Sequence, residues 1–183
     1  MTPEFCIQWR DEDLTEEGME ERAQWLGEQR QLASGCQDFF ALAGMLVSYS
    51  RYEFRLISAA FIHATIGLER ALRVHYKAPD EVFGSLCNGA DQALSELLQR
   101  AVTEELVTDK LFEAPWPVPD KFLGATDGPS ATHSEAITRL IPELRNRYAH
   151  GRYVLSPGLF HLTLEMRQIA DALKTKPRRT LLD

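Results

Sequence analysis

The segment YEFRLISAAFIHATIGLERALRVHY, residues 52–76, is the strongest constraint on what this chain can fold into. Its apolar residues recur three and four positions apart, which is the period of an α-helix, and others lie around the rest of the cylinder. The main stripe is formed by Phe54, Ile57, Phe61, Ala64, Leu68 and Leu72. The segment therefore predicts a central helix with neighbours on several sides, ended by Ala78 and Pro79.

The flanking segments have the same helical period. A helical stretch is predicted from Glu16 to about Ser48, with a break at Gly35, and another from near Asp80 to about Glu113. Residues 88 and 89, Asn and Gly, are a candidate split within the latter. Since no segment has the alternation of a strand, the predicted fold is an all-α bundle of four or five long antiparallel helices.

Two more helices are predicted in the last third of the chain. The first begins with Ser134 as its N-cap and runs to His150, with Gly151 as its stop. Pro142 lies inside this run and predicts a kink or a restarted turn. The second begins around residues 156–157 and ends near Leu173.

The length of 183 residues and the 44% of hydrophobic residues predict a single domain, spanning residues 1–183. An acidic segment occupies residues 1–21, and a short basic tail occupies residues 174–183. A long loop is predicted over residues 114–133, which contain four prolines and two glycines.

The net charge is −7, but residues 11–21 hold seven of the 27 acidic residues, so the remainder of the chain is neutral. The charge therefore does not exclude a nucleic-acid partner bound through a local cluster. The cysteines, Cys6, Cys36 and Cys87, have no zinc-ligand spacing and leave an odd thiol in any disulfide scheme. With no leader-like or membrane-spanning segment, the sequence predicts a soluble, reduced, cytoplasmic protein, and no cofactor is predicted.

The segment ELRNRYAHGRY, residues 143–153, places two arginines, an asparagine and a histidine at a predicted helix end. Asn146 and His150 are four positions apart and share a face of the helix. Adjacent arginines suit a phosphate, and histidine suits proton transfer near neutral pH. The alternative is structural, since Arg side chains at a helix C-terminus interact favourably with its dipole and His followed by Gly is ordinary capping.

LRNRYAHG resembles the signature of the HEPN superfamily, an arginine followed after four to six residues by a histidine, commonly with a polar residue after the arginine. Arg145, Asn146 and His150 match this signature. The Glu-bearing apolar helix over residues 59–76 is similar to the family's second helix, and the likeness covers about residues 37–173.

The resemblance implies a metal-independent endoribonuclease whose two copies form one cleft and whose substrate's 2′-hydroxyl is the nucleophile. His150 would act as general acid or base, Arg145 would bind the scissile phosphate, and Asn146 would hold both in place. Arg147, Arg152 and Tyr153 would add RNA contacts, or are solvated neighbours. Glu69 would orient Arg145 or His150, although Glu69 and Arg73 also form an ordinary pair four residues apart.

Two functions remain open from the sequence. The first is a homodimeric ribonuclease of the toxin or antiviral-defence kind, with RNA as substrate and an antitoxin or defence-system component as a further partner. The second is a non-catalytic HEPN-like module that binds protein, nucleotide or RNA. The acidic net charge and the lack of a basic stripe favour the module, and the intact set of Arg145, Asn146 and His150 favours the nuclease.

Overall fold

A computed structural model describes residues 16–28, 35–76, 90–112, 132–152 and 158–175. Within these ranges the chain is all-helical and has no strand, which confirms the predicted class. The helices are α1 (Glu16–Gly27), α2 (Gln37–Ser50), α3 (Leu56–Tyr76), α4 (Ala90–Thr103), α5 (His133–Ala149) and α6 (Gly158–Thr175), with a 3-10 helix at Asp109–Leu111. None of these helices combines the length and apolar character that crossing a bilayer requires.

The described ranges hold six α-helices, more than the four or five predicted, because the segment from Glu16 divides into α1 and α2. Gly35 lies in the turn before α2 with a φ of +87°, so the predicted break is confirmed. Most of the predicted loop over residues 114–133, the predicted helix end at residues 78–79 and the candidate split at residues 88–89 lie outside the described residues.

The predicted helix to Glu113 is wrong at its C-terminal end, because α4 ends at Thr103. Glu105 adopts a φ of 56°, a left-handed conformation that an α-helix cannot contain. The N–H groups of Leu106 and Val107 both donate to the carbonyl of Ala101, which closes the helix end. Leu106 and Val107 are nevertheless buried. Their apolar side chains therefore reflect burial in the core and not a helix that continues past Thr103.

Helices α1, α2 and α3 form two successive antiparallel hairpins. The Ser48 hydroxyl, near the end of α2, donates to Glu20 near the start of α1 at 2.8 Å. Gly44 allows the close approach of these two helices, since a Cβ there would lie 2.5 Å from the carbonyl oxygen of Ala23. On α3, Gly67 lies against the ring of Phe40 from the first turn of α2.

Helix α3 is the central helix of the described structure, as the sequence predicts. It contacts α2, α4, α5 and α6. Phe61, Leu68 and Leu72 on its apolar stripe are fully buried. The Thr65 hydroxyl lies 3.4 Å from the sulfur of Met166, and His75 Nδ1 donates to the carbonyl of Leu173 at 2.9 Å.

A buried arginine joins α1 to α6. Arg167 is 1% exposed, and its guanidinium donates to the carbonyls of Trp25, Leu26 and Glu28 at the end of α1. Its Nε also bonds both carboxylate oxygens of Asp171 at 3.1 Å. Because the last carbonyls of a helix have no partners within it, Arg167 supplies from α6 the donors that the end of α1 lacks.

The first turn of α5 is held by several side chains. Thr132 is its N-cap and forms a capping box with Glu135, so the predicted Ser134 cap is wrong by two residues. The backbone N–H and hydroxyl of Ser134 instead donate to Asp109, each at 2.8 Å. His133 Nε2 lies 2.9 Å from a carboxylate oxygen of Glu165 on α6, and both side chains are nearly covered.

Candidate functional site

Helix α5 runs through Pro142 without restarting and ends at Ala149, with His150 as its C-cap. Gly151 has a φ of +71°, and its N–H donates to the carbonyl of Tyr148 at 2.9 Å. The N–H of Arg152 donates to the carbonyl of Arg147 at 2.8 Å. These two bonds form the left-handed closure typical of glycine-terminated helices, so the predicted stop at Gly151 is confirmed.

Three charged side chains, Glu69, Arg73 and Arg145, form a cluster between α3 and α5, called here the charged cluster. One carboxylate oxygen of Glu69 accepts from Nη2 of Arg73 at 3.0 Å and from its Nε at 3.2 Å. The other oxygen lies 3.4 Å from Nη2 of Arg145. The same Glu69 carboxylate therefore pairs along its own helix and reaches across to α5, and its role in orienting Arg145 or His150 stays a prediction.

The charged cluster carries two positive charges and one negative charge. Its side chains are between 11% and 16% exposed, so water screens them less than it screens surface pairs. The formal charges of these three side chains sum to about +1, and Arg73 and Arg145 each have further interactions beyond Glu69. An anion that reaches Arg145 would meet a positive, partly dehydrated group, which strengthens charge-assisted hydrogen bonds.

Asn146 and His150 lie on a different side of α5 from the charged cluster. Both residues are exposed, and neither side chain forms a hydrogen bond or ion pair with another described residue. Arg145 and His150 are five positions apart, which turns them about 140° from each other on a regular helix. The fold thus brings Arg145 to Glu69, while Asn146 and His150 face outward at the same helix end.

The remaining predicted RNA contacts are less specific. Arg147 pairs with Glu143 one turn earlier on α5, and both side chains are about 40% exposed. Arg152 is exposed beyond the helix end. Tyr153 lies outside the described residues. Arg147 therefore has an ordinary surface partner, and its place among the RNA contacts stays a prediction.

Tyr148 is a residue of the motif segment that the sequence analysis does not single out. Its hydroxyl lies 3.1 Å from Oγ of Ser58, and its ring centroid lies 5.8 Å from that of Phe61 on α3. Tyr148 thus fixes the end of α5 on the central helix. The available signal was its position, since it is three residues after Arg145 and so shares the face of α5 that packs on α3.

Cys36 is a buried thiol in the turn before α2. Burial raises the pKa of the Cys36 thiol to about 11, although Arg70 opposes the shift. Because the thiolate is the nucleophilic form, Cys36 is an inert core residue at neutral pH. No three His, Cys, Asp or Glu side chains among the described residues are grouped so that they could hold a metal ion.

Comparisons with known proteins give no relative for this chain. It matches no protein-family model, no curated protein and no solved structure. The motif, its helix end and the charged cluster are therefore the features that bear on function.

Proposed function

We propose that the protein is a metal-independent endoribonuclease of the HEPN kind that acts as a homodimer in a toxin or antiviral-defence role. The observation that carries the proposal is the charged cluster at the α3–α5 contact, with the exposed Asn146 and His150 on the same helix end. This arrangement supplies a cation for a phosphate, a group for proton transfer and a polar neighbour. These are the groups that RNA cleavage by the 2′-hydroxyl requires.

In the proposed reaction, His150 removes the proton of the ribose 2′-hydroxyl, and the oxygen attacks the adjacent phosphorus. The bond to the 5′-oxygen breaks, and that oxygen takes a proton from the protonated His150 or from water as it leaves. The products are a 2′,3′-cyclic phosphate and a 5′-hydroxyl end. Arg145 stabilises the negative charge that develops on the phosphoryl oxygens, and Asn146 positions the phosphate or the imidazole.

Glu69 and Arg73 have a defined part in this proposal. Arg145 can turn from Glu69 to a phosphate without leaving the carboxylate alone, because Arg73 keeps its own bonds to Glu69. Leaving a buried charge without a partner costs several kcal/mol, so Arg73 lowers the cost of that movement. Glu69 and Arg73 are therefore positioning residues, and Arg145, Asn146 and His150 are the proposed catalytic residues.

The test is cleavage of labelled RNA by purified full-length protein in the presence of EDTA. We expect cyclic-phosphate products from the wild type, a loss of about 10²-fold or more in His150→Ala, and a loss of about 10²–10³-fold in Arg145→Ala. Arg139→Ala is the matched control, because Arg139 is an exposed arginine on the same helix. RNA with a 2′-deoxyribose at the cleaved position should resist the enzyme.

Equal cleavage by the wild type and His150→Ala would show that the activity is a contaminant and would overturn the proposal. Growth provides a cellular test, because expression of a toxin should arrest a host and expression of His150→Ala should not. An antitoxin or defence-system partner would be expected to suppress that arrest.

The second candidate function is a non-catalytic module that binds phosphate-bearing ligands. It is favoured by the pairing of Arg145 with Glu69, which leaves the guanidinium only 16% exposed. In that case RNA or nucleotide would bind with reduced affinity in Arg145→Ala but not in His150→Ala, and no cleavage would occur. Binding and cleavage measured on the same variants separate the two functions.

A further inference from the structure

Helix α2 is apolar on two opposite faces. Phe40, Ala43 and Val47 are buried in the core. The opposite face carries Leu42, Met45 and Tyr49, which are 37%, 58% and 56% exposed. Asp38 is the only charged residue among the 14 of this helix. A helix that is apolar all round is typically covered on both sides. Among the described residues, only one side of α2 is covered.

The exposed residues have a regular spacing. Asp38, Leu42, Met45, Tyr49 and Tyr52, which we call the α2 seam, are separated by four, three, four and three positions. This alternation is the 3.5-residue period at which one helix packs along another. The spacing places Asp38, Leu42, Met45 and Tyr49 on one face of α2, and Tyr52 lies in the turn that follows.

We propose that the α2 seam is a self-association surface, on which α2 of a second copy packs antiparallel about a twofold axis at Met45. The seam is nearly symmetric about this residue, because Asp38 and Tyr52 lie seven positions to either side. Leu42 lies three positions before Met45, and Tyr49 lies four positions after it. Across the twofold axis, the medium side chain of Leu42 therefore faces the large side chain of Tyr49 from the other copy. A twofold contact requires such a self-complementary surface.

The charges at the two ends of the seam complement each other in this arrangement. Asp38 lies in the first turn of α2, and Arg51 follows its last residue. The Arg51 guanidinium lies 4.7 Å from the ring centroid of Tyr52 and 3.8 Å from a carboxylate oxygen of Glu20. Asp38 of the second copy would therefore join an arginine that is already paired within its own protomer. Antiparallel packing also places the helix N-terminus of one copy beside the C-terminus of the other, which the helix dipoles favour.

The available area also fits a dimer. Tyr52 is 73% exposed, and Phe54, in the turn after α2, is 42% exposed. With the three apolar residues on α2 they leave on the order of 500 Å² exposed per protomer, at the upper end of what a monomer normally shows. A standard interface buries roughly 800 Å² per partner, so the seam and its polar flanks supply most of what a stable pair needs.

Sedimentation velocity over a concentration series tests the association. The wild type should dimerise, and Met45→Glu should weaken the dimer by about 100-fold or more, because two carboxylates would meet at the axis. Gln99→Glu adds the same charge at an exposed position of α4 and should leave the dimer unchanged. A monomer at every concentration, or a dimer that is indifferent to Met45→Glu, would overturn the proposal.

Disulfide crosslinking tests the register with variants that disturb folding little. The two thiols of Met45→Cys would lie at the axis, and oxidation should link them rapidly. The thiols of Asp38→Cys, on the same seam, would be about 20 Å apart, beyond the roughly 7 Å between Cα atoms that a disulfide spans. Wild type oxidised in parallel accounts for the native cysteines, and rapid linking through position 38 but not 45 would contradict this register.

The seam depends on α2 alone and not on ribonuclease activity. A dimer that cleaves no RNA would remove the proposed function and leave the seam intact. Cleavage by a protein that remains monomeric would overturn the seam, and it would also remove the homodimer from the proposed function while leaving the ribonuclease activity.

Discussion

Helix α5 begins and ends with polar side chains, but the two sets are placed differently. At its start, Thr132, Ser134 and His133 are bonded to groups nearby, and His133 is 11% exposed. At its end, Asn146 and His150 are exposed and have no side-chain bond to another described residue. The first set fixes the helix in the bundle, whereas the second contributes little to stability and is available to a ligand.

The largest expected effect of this difference is at the start of α5. Glu165→Ala removes the buried partner of His133 and should lower the free energy of unfolding by about 3 kcal/mol. Glu165→Gln keeps an acceptor near His133 and should cost less. Urea denaturation monitored by circular dichroism measures both.

The control is Glu143→Ala at the other end of α5, where the pair with Arg147 is about 40% exposed. Such a pair contributes at most about 1 kcal/mol. If Glu143→Ala proved as costly as Glu165→Ala, the distinction between a structural start and a functional end would fail.

The pH dependence of Asp109 sharpens the same comparison. Burial raises the pKa of Asp109, but hydrogen bonds from the backbone and hydroxyl of Ser134, with a contribution from His133, outweigh it and hold the pKa below its ordinary 3.8. The carboxylate therefore stabilises the fold fully above pH 3.8, and this contribution is lost as the pH falls through the lower folded value.

Asp109→Asn should lower the free energy of unfolding by less than about 1 kcal/mol at neutral pH, because Asp109 is exposed and water screens its carboxylate. The difference from the wild type should shrink as the pH falls below about 3.8, where the unfolded carboxyl becomes neutral. Urea titrations at several acidic pH values measure it. A difference that grows on acidification would contradict the assigned role.

Gly151 provides a further test at the C-terminal end. Gly151→Ala should cost about 1 kcal/mol, because its φ of +71° is unfavourable for a side chain. A Cβ there would meet nothing within 4 Å, so the cost comes from the backbone alone. Gly27→Ala, at the last residue of α1, has no such backbone conformation and should be neutral or slightly stabilising. Thermal unfolding of the two variants compares them directly.

The smallest expected stability effect is that of His150→Ala. The exposed imidazole makes no bond to another described residue, so the free energy of unfolding should change by less than about 0.5 kcal/mol. Among these stability variants, His150→Ala should nevertheless show the largest loss of RNA cleavage. A destabilised His150→Ala protein would indicate that the imidazole is structural.

The periodic parts of this fold were predictable from sequence, and the exceptions have physical causes. Gly35 and Gly151 mark the turns that their positive φ angles permit. The end of α4 at Thr103 carries no such mark, because Glu105 adopts a left-handed conformation without being glycine. The cap of α5 was present in the sequence as Thr132 followed three residues later by Glu135, but Ser134 lies closer to the first apolar residue.

The candidate site was predictable only in its local part. The end of one helix places all three proposed catalytic residues, because Arg145, Asn146 and His150 lie close together in sequence. The contact between Arg145 and Glu69 spans 76 positions, and only the packing of α5 on α3 creates it. The contact of Tyr148 with Ser58 spans 90 positions and was missed for the same reason.

Arg167 makes the completion of α1, near the start of the chain, depend on α6, near its end. Its guanidinium binds carbonyls that precede it by 139 to 142 positions. During synthesis, the last turn of α1 must therefore wait for α6 to leave the ribosome before its carbonyls gain these donors. A nascent chain halted before residue 167 would lack these donors, so the end of α1 would gain its bonds to α6 only after release.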